Sequence, residues 1–368
     1  MNSVVGVGQE SERIRVLLVD DSPMALLLIR RTLAQDPQIE VVGTAGDGAE
    51  GLRLVHELQP DVVSTDLFMP VMDGLELTRR IMAESPRPVL VCSTAVQADN
   101  TINIFDLLQA GALDVFPKPR TGLDQGDLSG LVRKIRVLAG VKVFRSRSAR
   151  SHQGASAILE RVTRPQIVVV GVSTGGPRAL QHLFGSLPAE FPLPILCVQH
   201  ISGEFAEGLV NWLSGQSALT VRFARAGESF QPGTIYFPPP GQNLTVGTER
   251  DAVLLAIDER EVGPSVDATM LSVAATYGAG SVGILLTGMG SDGAKGMVAI
   301  SQAGGMTIAQ NAETSVIFGM PERAIAQGGA QRVLSLNDIA PTLVRLAHAS
   351  RAGSTPGGMG PRTTVPGT

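Results

Sequence analysis

A serine between glycines follows an apolar run in the middle of the chain. Residues 166–176 read QIVVVGVSTGG, and the stretch from Gly171 to Gly175 fits the pattern G-x-S-x-G. In enzymes with this pattern, a sharp turn between a strand and a helix exposes the serine hydroxyl above a sheet. The same residues also fit a glycine-rich loop that binds phosphate or only turns the chain. The motif makes Ser173 a candidate nucleophile and leaves both alternatives open.

A nucleophilic serine needs a base, and one of the five histidines follows a second strand-like run. His200 comes directly after residues 194–199, an apolar stretch that is typical of a short buried strand. In an open α/β sheet, chemistry collects outside the carboxyl ends of the strands, so Ser173 and His200 are predicted to share one edge. A histidine that ends a strand can also simply hydrogen-bond to backbone, and this alternative stays open until a third residue is found.

A carboxylate at a third strand end could complete a triad. Residues 281–294 read SVGILLTGMGSDGA, again an apolar run that enters a glycine-rich turn. Asp292 is expected at the same sheet edge, where it could accept the Nδ1 hydrogen of His200 and orient the ring. By itself, an aspartate before glycine is more often a turn residue or a helix N-cap. The chain order Ser173, His200, Asp292 differs from the Ser…Asp…His order of α/β-hydrolases, so that fold is not the match.

The first third of the chain carries an independent set of polar strand ends. Asp20 and Asp21 follow one apolar run, Asp66 follows another, and Ser93 and Lys118 end two more. Three carboxylates at one edge repel one another unless they bind a cation, and Mg²⁺ takes oxygen ligands of this kind. With the ion bound by the three aspartates, Asp66 could attack a phosphoryl donor, and Ser93 and Lys118 would contact the transferred group. Acids that only cap helices would explain one or two of these residues, but not the whole series.

The elements that must position these residues alternate between strand and helix patterns. Helical stretches, for example residues 25–34 and 48–58, separate the apolar runs of the first region, and residues 178–184 follow the serine motif. This alternation is typical of α/β domains with parallel sheets. The length of 368 residues is consistent with two such domains.

Composition excludes several classes of protein. The chain is 43% hydrophobic and 17% charged, as in a globular protein with substantial cores, and its net charge of −4 argues against a nucleic-acid surface. Cys92 and Cys197 lie inside apolar runs of different regions and are expected to be reduced core residues. The sequence shows no signal peptide and no apolar run of about 18 residues that could span a membrane. The expected compartment is the cytoplasm, without direct membrane insertion.

The first region, over about residues 13–125, resembles the receiver domain of two-component response regulators. The resemblance implies a flavodoxin-like fold with a parallel five-stranded sheet, and a histidine kinase as the phosphodonor. It also implies Mg²⁺ for phosphoryl transfer, a phospho-acceptor at Asp66, and phosphoryl contacts from Ser93 and Lys118. The first-strand acids of that family match Asp20 and Asp21.

The second region, over about residues 164–348, resembles the catalytic domain of the CheB family of chemotaxis protein-glutamate methylesterases. The matching segments read GVSTGGP, VQHI and LLTGMGSDGAKGM. The resemblance implies a doubly wound α/β domain with Ser173 as nucleophile, His200 as base and Asp292 as the orienting acid. It further implies that Thr174 shapes the site, that the Met289 N–H donates to the oxyanion, and that the esterase needs no cofactor.

The predicted organisation is therefore a receiver at 13–125, a linker at 126–163, a methylesterase domain at 164–348 and a disordered tail at 349–368. The tail is rich in Gly, Pro, Thr and Ser, a composition that does not support a packed core.

The expected function is that of a hydrolase activated by phosphorylation. It would demethylate glutamate γ-methyl esters, and deamidate glutamines, on methyl-accepting chemotaxis receptors. The alternative is a phospho-regulated module that binds a receptor or a kinase without significant catalysis. A DNA-binding response regulator is disfavoured, because no helix-turn-helix pattern or basic recognition element follows the receiver, and no nucleic-acid partner is expected.

Overall fold

The computed structural model describes residues 13–93, 104–118, 125–141, 165–257 and 263–352. These residues form two α/β domains, each built on its own parallel sheet. Of the predicted linker, residues 142–163 lie outside this described part, as do residues 353–368 of the predicted tail. No helix within the described ranges combines the length and the apolar character needed to cross a bilayer.

The first domain alternates five strands with five helices. The strands are β1 (Ile14–Val19), β2 (Ile39–Ala45), β3 (Val62–Thr65), β4 (Val89–Ser93) and β5 (Asp114–Pro117). The helices are α1 (Pro23–Leu33), α2 (Gly48–Leu58), α3 (Gly74–Glu84), α4 (Ile104–Ala110) and α5 (Gln125–Ala139).

The first sheet has the order β2-β1-β3-β4-β5, and all of its pairs are parallel. The predicted flavodoxin-like fold is confirmed. Strand order reverses between β1 and β3, and such a switch point leaves a crevice at the carboxyl ends of the two strands. Asp20 and Asp21 follow β1 and Asp66 follows β3, so the topology brings all three carboxylates to this crevice.

The helix α5 belongs to the helical layer of the first domain. Its residues Leu131, Ile135 and Leu138 are fully buried in a cluster with the apolar side chains of β1 and α1. Their spacing of four and then three residues places them on one face of the helix. Residues 129–141, which were predicted to belong to the linker, thus pack as part of this domain.

The second domain contains nine strands and six helices among its described residues. The strands are β6 (Ile167–Val172), β7 (Ile195–Gln199), β8 (Thr220–Phe223), β9 (Thr234–Phe237), β10 (Gln242–Val246), β11 (Ala252–Ala256), β12 (Ser281–Leu285), β13 (Met306–Gln310) and β14 (Arg332–Leu334). The helices are α6 (Gly176–Gly185), α7 (Gly203–Ser214), α8 (Val266–Tyr277), α9 (Ala294–Gln302), α10 (Met320–Ala326) and α11 (Leu336–Ala352).

Seven of these strands form a parallel sheet in the order β14-β13-β12-β6-β7-β9-β8, while β10 and β11 form a separate antiparallel pair. The chain runs outward from β6 in both directions, so the predicted doubly wound fold is confirmed and β6 lies at its switch point. The strands β12, β6 and β7 are neighbours, and the residues that follow them share one edge of the sheet.

The central strand β6 is buried on both faces. Val168, Val170 and Val172 pack into one hydrophobic cluster, and Ile167 and Val169 pack into another. This alternation follows from the two-residue period of a strand. The helices α6, α7 and α11 cover the first face, and α8, α9 and α10 cover the second. The helices that start at the candidate site are therefore anchored to opposite faces of the same sheet.

The two domains touch through α4 of the first and α6 and α7 of the second. The ring of Phe105 on α4 stacks on the ring of Trp212 on α7, with centroids 5.4 Å apart and planes 21° apart. Phe105 is fully buried, and it belongs to a cluster that continues into the core of the second domain. The interface is thus a hydrophobic contact between helices.

Candidate functional site

The turn that carries Ser173 joins β6 to α6. Gly175 starts the helix with a φ of 78°, a left-handed conformation that glycine adopts without strain. A side chain there would also collide with Val316, whose Cβ lies 2.6 Å from the position of the missing Cβ. The Ser173 N–H donates to the Thr287 carbonyl at 3.0 Å, and Ser173 remains partly exposed. The turn therefore presents the Ser173 hydroxyl at the sheet edge, as expected.

His200 follows β7, the strand next to β6. Its N–H donates to the Val172 carbonyl at 3.0 Å, which extends the pairing of the two strands by one residue. Gln199 is buried, and its side-chain amide donates to the Ser173 carbonyl at 2.9 Å and to the His200 carbonyl at 3.0 Å. One buried amide thus fixes the backbone of both residues. Gln199 was not among the site residues predicted from the sequence, although a polar residue at the end of an apolar strand was a signal.

His200 contacts Asp292 through Nε2, which lies 2.8 Å from Oδ2 of the carboxylate. The expected contact through Nδ1 is wrong, because the ring is oriented with Nε2 towards the turn after β12. Nδ1 is then the nitrogen left to accept a proton from Ser173. The described residues include no hydrogen bond between Ser173 and the His200 ring. The two residues lie at neighbouring strand ends, and such contacts often form only with substrate bound.

Asp292 accepts hydrogen bonds from the start of α8. Its Oδ2 accepts from the Val266 N–H and its Oδ1 from the Asp267 N–H, both at 2.8 Å, and the Ser265 hydroxyl lies 3.2 Å from Oδ1. Burial alone would raise the pKa of Asp292. The hydrogen bonds from His200 and from the two amides outweigh burial, so the pKa is lowered. A helix N-terminus also favours negative charge. Asp292 is therefore held as a carboxylate.

The turn after β12 lies directly over Ser173. A Cβ at Gly288 would be 2.7 Å from the Cβ of Ser173, so the two backbones are in contact. The next residue, Met289, uses its N–H in no hydrogen bond among the described residues, and this N–H is free to bind an oxyanion. Thr174 is buried, and its carbonyl accepts a hydrogen bond from the Thr287 hydroxyl. Thr174 and Met289 thus both border the nucleophile.

A second polar cluster occupies the crevice of the first domain, on Asp66. Its Oδ1 accepts from the Ser93 hydroxyl at 2.8 Å and from the Leu67 N–H at 2.7 Å. Its Oδ2 lies 2.6 Å from Lys118 Nζ. The structure therefore brings together Asp66, Ser93 and Lys118 as expected, although they come from the ends of three different strands.

The carboxylates of this cluster fit a divalent cation. Ligand atoms of Asp20, Asp21 and Asp66 all lie within 4.8 Å of one another. Oδ2 of Asp20 is buried and pairs with Lys118 Nζ, which lies 2.8 Å away. Burial raises the pKa of Asp20 despite the opposing effect of Lys118. Three carboxylates this close together are suited to a hard cation such as Mg²⁺.

Lys118 bridges two of these carboxylates. Burial would lower the pKa of Lys118, but contacts with Asp20 and Asp66 outweigh burial and raise it. The ammonium is therefore held in its charged form beside Asp66, where a transferred phosphoryl group would need a positive partner.

Comparison with protein families gives two matches, one for each domain of the fold. A profile described as "CheB methylesterase" matches residues 168–343, and one described as "Response regulator receiver domain" matches residues 16–128.

Several known proteins are similar over both domains. A protein-glutamate methylesterase/protein-glutamine glutaminase of Syntrophus aciditrophicus is 41% identical over 91% of this chain and 98% of its own length. A protein of the same description from Nitrosospira multiformis is 40% identical over 90% of this chain and 97% of its own. Among solved structures, the catalytic domain of the Thermotoga maritima CheB methylesterase is similar to the second domain alone, with 38% sequence identity. The match covers 50% of this chain and 100% of the solved chain, with a TM-score of 0.48.

The contacts of Gln199 predict the effect of a small substitution. In Gly176→Ala, the new Cβ would lie 1.9 Å from Oε1 of Gln199, so the buried amide that holds Ser173 and His200 must move. We expect a loss of roughly 1–3 kcal/mol in the free energy of unfolding, as for other overpacked cores. Urea unfolding can be followed by the fluorescence of Trp212, the single tryptophan of the chain.

The matched control is Gly215→Ala at the end of α7. Its Cβ would be 3.5 Å from the nearest carbonyl oxygen, an ordinary contact, and its φ is −75°. Equal unfolding midpoints for the two variants would show that Gln199 is not held as described.

Proposed function

Because this chain belongs to the family of CheB methylesterases with an N-terminal receiver domain, we propose that it demethylates glutamate γ-methyl esters on methyl-accepting chemotaxis receptors and deamidates glutamines there. The observation that supports this most directly is the contact of His200 with Asp292 at the strand end beside Ser173. A module that only binds a receptor or kinase would not need this arrangement.

The proposed reaction is an acyl transfer in two steps. Ser173 Oγ attacks the ester carbonyl while Nδ1 of His200 takes its proton, and Asp292 stabilises the resulting imidazolium. The Met289 N–H donates to the oxyanion of the tetrahedral intermediate. His200 then returns the proton to the leaving group, which departs as methanol from an ester or ammonia from glutamine.

Hydrolysis of the acyl-enzyme reverses these roles. Water attacks the carbonyl of the ester formed with Ser173, and His200 takes a proton from the water and returns it to Ser173 Oγ. The product is the glutamate side chain, and the enzyme is restored.

For the first domain we propose phosphorylation on Asp66 by a histidine kinase. A carboxylate oxygen of Asp66 attacks the phosphorus and the donor histidine leaves. Mg²⁺ bound by Asp20, Asp21 and Asp66 would supply positive charge at the phosphoryl oxygens. The Lys118 ammonium and the Ser93 hydroxyl lie within 2.8 Å of Asp66 and would contact the same oxygens. With these partners, we propose that the protein acts in the cytoplasm.

The domain contacts support a role for phosphorylation in activation. The helix α4 follows Ser93 in the chain, and it packs on α6 and α7, the helices that begin after Ser173 and His200. Val316 packs both against Gly175 and against the hydrophobic cluster of the first domain. A shift of the receiver on phosphorylation would therefore act on Gly175, which is two residues from Ser173. We propose that the resting receiver restrains the esterase.

The first prediction concerns the triad. Ser173→Ala and His200→Ala should each lower turnover by at least about a thousandfold, and Asp292→Ala should cost less, since an orienting acid contributes less than nucleophile or base. Methanol release from a methylated receptor measures the effect. His182→Ala on the exposed face of α6 and Ser186→Ala just after its end are matched controls that should leave turnover unchanged. Normal turnover of Ser173→Ala would end the case for this nucleophile.

The second prediction concerns phosphoryl transfer. With Mg²⁺ and a small phosphodonor, the protein should gain one acid-stable, base-labile acyl phosphate, and Asp66→Ala should gain none. Asp47→Ala, which alters the partly exposed cap of α2 in the same domain, should be labelled normally. Intact-mass spectrometry and radiolabelling report the result. Labelling that persists in Asp66→Ala, or in chelator, would place the chemistry elsewhere.

The third prediction concerns restraint by the receiver. Coupling between sites is typically about 1–3 kcal/mol, so phosphorylation should raise turnover by roughly 5- to 150-fold. Without phosphodonor, Phe105→Ala should raise turnover towards the same level, because it removes the ring that stacks on Trp212. Phe68→Ala at an exposed position of the first domain is the matched control and should have no effect on resting turnover. A resting Phe105→Ala enzyme that is no faster than the unaltered chain would exclude restraint through this contact.

A further inference from the structure

Asp292 of the triad and its neighbour Asp267 each accept hydrogen bonds from the start of the helix at which the other residue lies. Asp292, which precedes α9, accepts hydrogen bonds from the first two amides of α8. Asp267, the second residue of α8, accepts from the Gly296 N–H in the first turn of α9 at 2.8 Å through Oδ1. We name this pair of interactions the reciprocal cap. It joins the starts of α8 and α9 at the position of the triad acid.

We propose that Asp267 is a positioning residue for the esterase reaction: its carboxylate holds the start of α9, and with it the turn from which Asp292 orients His200. The inference rests on the proposed function, because it requires Asp292 to act in the triad.

The helix α9 depends on Asp267 for its cap. Its own N-cap residue is Gly293, which has no side chain to accept a hydrogen bond. The first amides of a helix need partners outside the helix, and a side-chain oxygen usually supplies them. Asp267 supplies this oxygen from α8, and the Gly293 N–H also favours its charged form. Gly293 is bonded directly to Asp292, so the side chain of Asp267 acts on the backbone next to the triad acid.

The contact between Asp292 and His200 leaves little tolerance for movement. Both oxygens of Asp292 accept backbone hydrogen bonds from α8, and Oδ2 also contacts Nε2 of His200. If the start of α9 shifts away from α8, Asp292 cannot keep these partners together. A misplacement of about 1 Å by a remote change can lower a rate by about a hundredfold.

The electrostatics of Asp267 support a positioning role over a purely stabilising one. Burial raises the pKa of Asp267, the amide of Gly296 opposes this effect, and the charge of Asp292 raises the pKa further. A second carboxylate next to Asp292 is thus in an unfavourable environment for its charge. Groups in such environments are found more often at functional sites than elsewhere.

The test uses the full chain and methanol release from a methylated receptor. Asp267→Ala should lower kcat by about 10- to 100-fold with little change in KM, because the reacting groups and not the substrate contacts are misplaced. Asp267→Asn keeps an oxygen at the same place and should retain most of the activity. Loss of activity in Asp267→Asn equal to that in Asp267→Ala would overturn the proposal, since the capping oxygen would then not be what matters.

A double-mutant cycle with Asp292→Ala separates positioning from general destabilisation. If Asp267 acts through Asp292, then Asp267→Ala should lower kcat by less than about twofold in the Asp292→Ala background. An equal fall in both backgrounds, or a normal kcat for Asp267→Ala alone, would overturn the inference. If Asp292→Ala itself leaves kcat unchanged, the triad is wrong and both proposals fail, so the two failures are distinguishable.

Two further measurements guard against an effect of stability alone. Asp47→Ala removes two comparable capping bonds from α2 in the other domain, and it should affect unfolding but not kcat. If Asp267→Ala does not fold, Asp267→Ser takes its place in the same cycle. The serine side chain is one atom too short to reach the Gly296 N–H. The changes in kcat expected for Asp267→Ala, alone and in the Asp292→Ala background, are therefore also expected for Asp267→Ser.

Discussion

The pairing of three parallel strands is the constraint on which the candidate active site depends. The strands β12, β6 and β7 are adjacent, and backbone hydrogen bonds continue past their ends, from Ser173 to Thr287 and from His200 to Val172. These bonds determine how far apart the nucleophile, the base and the turn above them can lie. The first domain uses the same principle, since strand order reverses where its carboxylates meet. Both chemistries thus lie at the switch point of a parallel sheet.

Much of this arrangement could be predicted from the sequence because it is carried by local patterns. An apolar run followed by Ser173, His200 or Asp66 identifies both the strand and the residue at its end. The meeting of Asp66 with Lys118 also follows once a parallel fold is assumed. Topology, and not the exact packing, was sufficient for these predictions.

The remainder depended on contacts between distant segments, which no local pattern contains. The ring orientation of His200 is determined by the approach of α8 to the turn before α9. The buried amide of Gln199 is important only because β6 lies beside β7. The helix α5 looked like the start of a linker, because its apolar face is understood only against β1 and α1. Each of these features depends on a contact between two segments that are distant in the sequence.

Val266 has a consequence for how this sequence can change over evolutionary time. Its Cγ1 would lie 2.2 Å from a Cβ at Gly171 and 2.7 Å from one at Gly293. Cδ1 of Leu285 would lie 2.9 Å and 2.5 Å from the same two positions, so these two side chains fill the space that both glycines leave. Gly293 also has a φ of 90°, which favours glycine whatever its neighbours are. Val266 can shorten only by opening a cavity between β6 and α9. Gly171, Val266 and Leu285 therefore form an epistatic unit. A larger residue at position 171 requires smaller residues at positions 266 and 285 first, although 95 and 19 positions separate the three along the chain.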